Sequence, residues 1–131
     1  MGNLKRIMIA GKTFPIKIDL NVLEHIQQEF GTINEFERKI LGLEVVRDEN
    51  GQVEYKENGE PKFRSVEVSI SAIKAVLPSM INEGLAIEAD EQNRSWEPVS
   101  DQWVYANCDI AFDVLGKMIH EEFKRCFAVK K

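Results

Sequence analysis

The stretch "GKTFPIKIDLNVLEHIQQEFG", residues 11–31, changes its hydrophobic period once, and that change sets the fold class. Phe14, Ile16 and Ile18 alternate with Pro15 and Lys17, the two-residue period of a strand with one buried face. Val22, Leu23, Ile26 and Phe30 then fall at the spacing of a helix stripe. Residues 5–10 form a second β-rich run, so a hairpin over 5–10 and 13–18 is expected around the turn "AGK". Pro15 lacks a ladder donor, so its strand should be an edge or turn the missing donor outward. Asn21 with Glu24 resembles a capping box, and Gly31 is placed to stop the helix. "TINE" repeats the start signal with Thr32 as cap, and Ile33, Phe36, Ile40 and Leu41 make a second stripe that Gly42 ends.

Residues 48–63, "DENGQVEYKENGEPKF", carry a short echo: Glu-Asn-Gly, three variable residues, then an aromatic, twice. Asn-Gly is a strong signal for a tight hairpin turn. Strands near 43–47, 52–56 and 62–68 are therefore expected to form a meander turning at Asn50-Gly51 and Asn58-Gly59. Two units are too few for a solenoid, and the polarity marks a solvated excursion at about 43–68. "SISAIKAVLPSMINEGLAIEADE" follows as the most apolar helix, capped by Ser69 or Ser71. Ile70, Ile73, Val76, Leu77, Met80 and Ile81 form its wide stripe. Pro78 predicts a kink and Gly84 a weaker second half. After the loop "EQNRSWEP", Ser100 is expected to cap a short helix and Asp109 the last one. Phe112, Leu115, Ile119, Phe123 and Cys126 share the stripe of that last helix, which Ala111, Val114 and Met118 widen. The sum is one small α+β domain over 1–131: an N-terminal hairpin, four or five helices, and the central β excursion.

Chemistry is mostly conspicuous by what the residues exclude. No apolar run approaches the roughly 20 residues needed to span a bilayer. The opening "MGNLKRIMIAG" does not read as a secretory signal or a myristoylation site, so a cytoplasmic setting is expected. Cys108 and Cys126 are too few for a disulfide framework and are expected as buried, reduced thiols. With net charge −5 and no basic cluster beyond "KR" and the terminal "KK", nucleic acid lacks its electrostatic footprint. "HEE" at 120–122 lacks the second His of a zinc hydrolase motif, and His25 has no spaced partner. The glycines sit at turns and helix ends instead of in a phosphate loop, and no G-x-S-x-G turn occurs. From Asp48 the Gly comes fourth, where a calcium loop needs it sixth. Glu121 and Glu122 beside Lys117, Lys124 and Arg125 read as paired surface charge. Neither an enzyme nor a cofactor is expected. Trp103 reads as core. Trp96, in a polar loop, reads as a partner anchor, since interface hot spots favour Trp. Phe123 and Phe127, near the end of the last helix, are the other contact candidates, with plain core packing as the alternative for Phe123.

Taken in order, "GKTFPIKIDLNVLEHIQQEFG", a variable polar region, "LPSMINEGLAIE" and a closing helix resemble the tail assembly chaperones of long-tailed phages and of prophages in Gram-positive bacteria. Leu23, Glu24, Phe30 and Gly31 match the opening helix of that pattern, and Ile81 to Leu85 match its apolar helix with a Glu-Gly step. The likeness leaves out residues 44–68 and the loop near 90–99. It implies a non-enzymatic role: binding the long helical tape measure protein and holding it soluble in the host cytoplasm while tail tube protein assembles around it. It also implies that a ribosomal frameshift can extend the chain, and the ending Lys130-Lys131 is compatible with a slippery A-rich run. A homo-oligomer fits such a coat, since several copies could cover one long helix. The competing expectation is a structural tail or head-tail connector subunit that stays in the virion, built by strand pairing through the excursion.

Overall fold

The computed structural model describes residues 4–127; the Lys130-Lys131 ending lies outside the described residues. The chain is mixed α+β, with five helices and two small antiparallel sheets among those residues. Strands β1 (Lys5–Ile9) and β2 (Lys12–Ile16) pair with Ile9 opposite Lys12 and Lys5 opposite Ile16. Ala10 and Gly11 both take positive φ, the two-residue turn that suits a right-twisted hairpin. Phe14, Ile16 and Ile18 are all buried, as their alternation requires.

In a hairpin closed by a two-residue turn, Ile9 and Lys12 are a bonded pair, so the alternate pair Arg6–Pro15 is not. Pro15 therefore gives up no ladder bond, and its missing donor does face outward. That outer edge is covered by α3 (Ile70–Glu91). The Lys17 N–H donates to the Met80 carbonyl at 3.1 Å, and Gly84 brings the helix against the Pro15 carbonyl.

Helix α1 (Leu20–Phe30) begins one residue before the expected cap. Its N-cap is Asp19, whose Oδ1 accepts from the N–H of Asn21 at 3.1 Å and of Val22 at 3.2 Å. Gly31 ends it at φ +82°. Helix α2 (Ile33–Leu41) starts at Thr32, whose Oγ1 accepts from the Glu35 N–H, and stops at the left-handed Gly42. Phe36 and Ile40 are buried, while Leu41 lies at the rim.

The excursion keeps both expected turns, with Arg47 bridging Val53 and Tyr55 bridging Pro61 around them, and its first and last strands also pair with each other. Strand β3 (Leu43–Val45) pairs directly with β4 (Phe63–Ser65). Beyond that stem the chain makes a three-way junction: Val46 N–H to Lys62 O, Glu54 N–H to Val46 O, and Lys62 N–H to Glu54 O. The eight-residue echo is real in three dimensions. Asp48 N–H bonds Gln52 O and Gly51 N–H bonds Asp48 O; eight residues on, Lys56 N–H bonds Glu60 O and Gly59 N–H bonds Lys56 O.

Helix α3 is the central element, packed against β2, α1, α2, α4 (Asp101–Asn107) and α5 (Phe112–Cys126). It starts at Ser69, whose Oγ accepts from the Ala72 N–H, and runs through Pro78 without a break. By length and composition its 22 residues would suffice to cross a membrane, but here it is the core helix. Ser100 caps α4 through the Trp103 N–H. Asp109 does not cap α5, whose N-cap is Ala111 with no side-chain bond; Asp109 Oδ1 instead accepts from the Ala10 N–H at 3.4 Å. Leu115, Ile119 and Phe123 bury the stripe of α5. Glu122 is buried as well, at 3% exposure, which corrects its reading as surface charge. One turn on, Arg125 donates to it at 2.8 Å, and pairing of that kind is what lets a carboxylate leave water. Cys108 and Cys126 are unpaired and half-buried.

Candidate functional site

Pro78 acts on one wall of an apolar cleft among the described residues, through the carbonyl one turn before it. Lacking an N–H, it leaves the carbonyl of Lys74 without its helical donor. The Tyr105 hydroxyl, from α4, donates to that oxygen at 3.1 Å. One residue along, His25 of α1 sets Nε2 2.8 Å from the Ala75 carbonyl and donates to it. The opened turn is thus satisfied from two neighbouring helices, and Tyr105 is fixed across the face of α3. Partial burial and the charge of Asp101 push the Tyr105 hydroxyl above its ordinary value of 10.0, so it stays a donor. The Lys74 ammonium sits 4.6 Å over the Tyr105 ring.

Beside this latch lies a cleft of about 310 Å³ between α3, α4 and the start of α5. Ile73, Leu77, Val104 and Leu115 are buried around it, with Cys108 and Ile110 half-buried. Ile70, Tyr105 and Phe112 line its opening at 48%, 37% and 58% exposure. Lys74 is the one charged residue in the lining. Among the described residues it forms no ion pair; Glu29 and Asp101 line the neighbouring depression, on the other side of Lys74 and Tyr105. Large apolar side chains at a cleft mouth favour removal from water by a partner surface.

The three residues singled out in the sequence sit elsewhere. Trp96, 37% exposed, lines a shallow depression between α1 and α3 together with Asn21, Val22, His25, Ser79 and Glu83. Its loop is held there by Asn82, which accepts from the Val99 N–H at 2.7 Å and donates to the Val99 carbonyl at 3.0 Å. Phe123 is core, 4% exposed and packed on Phe36 at 5.8 Å between ring centroids. Even so, it helps to line a shallow depression between α2 and α5. Phe127 is 55% exposed and leans edge-on against Phe123 at 5.2 Å. Together with Ile33, Asn34, Glu37 and Lys124 it lines the same depression. The structure therefore brings Phe123 and Phe127 together and leaves Trp96 apart from them. Trp103 packs edge-on against Phe14 at 5.6 Å, with Lys12 over its ring.

Polar chemistry is dispersed. Among the described residues, no three or more His, Cys, Asp or Glu side chains gather as metal ligands would. His120 Nε2 meets Glu37 Oε2 at 2.9 Å, joining α5 to α2. Asp19 and Glu83 share a hydrogen bond that raises the Glu83 carboxyl above 4.5, with burial adding to the rise and Asn21 opposing it. Burial pushes the Cys126 thiol up, away from the reactive thiolate.

Set against family models, curated proteins and solved structures, the chain matches none.

Proposed function

We propose that this protein is a tail assembly chaperone of a phage or prophage, which binds the tape measure protein and holds it soluble in the bacterial cytoplasm until the tail tube replaces it. The reading carries no covalent chemistry: the working part is apolar surface lent to another polypeptide. The observation that carries it is the cleft between α3, α4 and α5, with Ile70, Tyr105 and Phe112 at its mouth, in a molecule of acidic net charge. A long amphipathic helix without its tube exposes a continuous apolar stripe, and helix-in-groove packing covers such a stripe through side chains at i, i+3, i+4 and i+7. The reading rests as well on the resemblance in sequence pattern, in which a β-rich opening, a helix closing on Gly31 and an apolar helix follow one another.

Co-expression with the neighbouring tape measure gene tests this. The long protein should move from the pellet to the soluble fraction, and a Phe112→Asp variant should return it to the pellet. Unchanged solubility with the folded wild-type chain rejects the reading.

A second reading, a tail or head-tail connector subunit retained in the virion, is favoured by the excursion alone. Its outer part is held by two isolated bridges, Arg47 with Val53 and Tyr55 with Pro61, and such short pairs leave strand edges open for pairing. Finding the chain in purified virions supports that reading over the chaperone.

A further inference from the structure

We propose that the cleft is selective for charge as well as for apolarity: it seats one Leu- or Phe-sized side chain of a partner helix, and an acidic residue of that helix meets Lys74. The inference rests on the chaperone reading for the existence of a helical partner and adds the chemistry of the segment chosen. Two observations carry it. The cleft, about 310 Å³, has room for a Leu or Phe side chain, and its wall is held in place by the bond from Tyr105 to the carbonyl that Pro78 frees. Its only charged lining residue is a cation held over the Tyr105 ring, without an ion-pair partner among the described residues. A helix packing there sets this ammonium beside its own flank. A carboxylate at that place is attracted, and a lysine is repelled, in a setting drier than open surface. Glu29 and Asp101 face the same ammonium from the far side and act in the opposite direction, so the preference is modest.

The test uses two synthetic 18-residue amphipathic helices with the same Leu and Phe face, one carrying Glu at the flank of the anchor and one carrying Lys. Binding to the full chain is read by fluorescence anisotropy. The Glu peptide should bind roughly two- to fivefold tighter at low salt, the size expected of one partly exposed ion pair. High salt should shrink the gap, and Lys74→Glu should invert it while leaving the circular dichroism spectrum unchanged. Phe112→Asp should weaken both peptides. Equal affinity for the two peptides, or a preference that Lys74→Glu leaves alone, overturns the inference even where the tape measure protein is still made soluble. Failure of both peptides to bind, with no gain in solubility on co-expression, removes the inference and the chaperone reading together. If the chain alone sediments as a dimer that Phe112→Asp makes monomeric, a second copy covers the cleft and the helix proposal falls.

Discussion

Gly84 is where the helix and the hairpin come closest, and a single methyl group there is enough to separate them. A Cβ at this position overlaps the Pro15 carbonyl and lies 2.9 Å from the Ile16 nitrogen, so backbone has to move. In an ordinary helix interior Gly→Ala stabilises, by about 1 kcal/mol. Gly84→Ala should do the reverse and cost about 2 kcal/mol, the range of overpacked sites, as measured by urea denaturation. A stabilised variant rejects the close approach. Glu83, one position earlier, makes a prediction in pH. Its folded carboxyl holds a proton more tightly than its unfolded one, because of the Asp19 hydrogen bond first and burial second. The stabilising share is therefore full below the ordinary value of 4.5 and is lost as pH rises through the raised value. The stability difference between wild type and Glu83→Gln should decline across that window. Urea titrations at several pH values between about 4 and 6 measure it, and parallel curves mean that the two carboxyls do not share a proton.

Local signals survived folding where their partners are local. Thr32, Ser69 and Ser100 are caps because each oxygen meets an amide three residues on, inside the same short stretch. Asp109 failed as a cap because it spends its carboxylate on Ala10, far away in sequence. The Asn-Gly turns were legible, but β3 pairing with β4 was not, since pairing partners are chosen across the loop. The cleft was the least legible part. Periodicity places Phe112 on the stripe of α5, but cannot say that neighbouring helices leave its first turn uncovered. The same limit hid how deeply Phe123 is buried, since its neighbour Phe36 comes from α2. Between α3 and α4, Pro78 and Tyr105 form a coupled pair that a double-mutant cycle can isolate. Tyr105→Phe should cost about 1 kcal/mol in the wild type, the net worth of one hydrogen bond. In Pro78→Ala the residue-78 amide can reclaim the Lys74 carbonyl, so the same change should cost close to nothing. Strict additivity in denaturant titrations rejects the latch.

Two surfaces of the whole molecule compete for the role of interface, and they are separable because they belong to different parts of the chain. The cleft is built from elements that form the core, whereas residues 47–61 contribute no member to the hydrophobic core. Val46 N–H bonds Lys62 O, so that pair can close a two-residue turn of its own. Replacing residues 47–61 by Asn-Gly should therefore leave a folded chain, with stability changed by no more than about 1 kcal/mol, as for other surface changes that also shorten a loop. Thermal and urea unfolding check the first half of that statement. The second half concerns function. Under the chaperone reading the shortened chain still carries Ile70, Tyr105 and Phe112, and should make the tape measure protein as soluble as the full chain does. Under the connector reading the lost segment is the pairing surface, and the shortened chain should vanish from virions while the cleft stays intact. A shortened chain that folds normally but no longer makes its partner soluble puts the contact on the hairpin, and the cleft ceases to be the working surface.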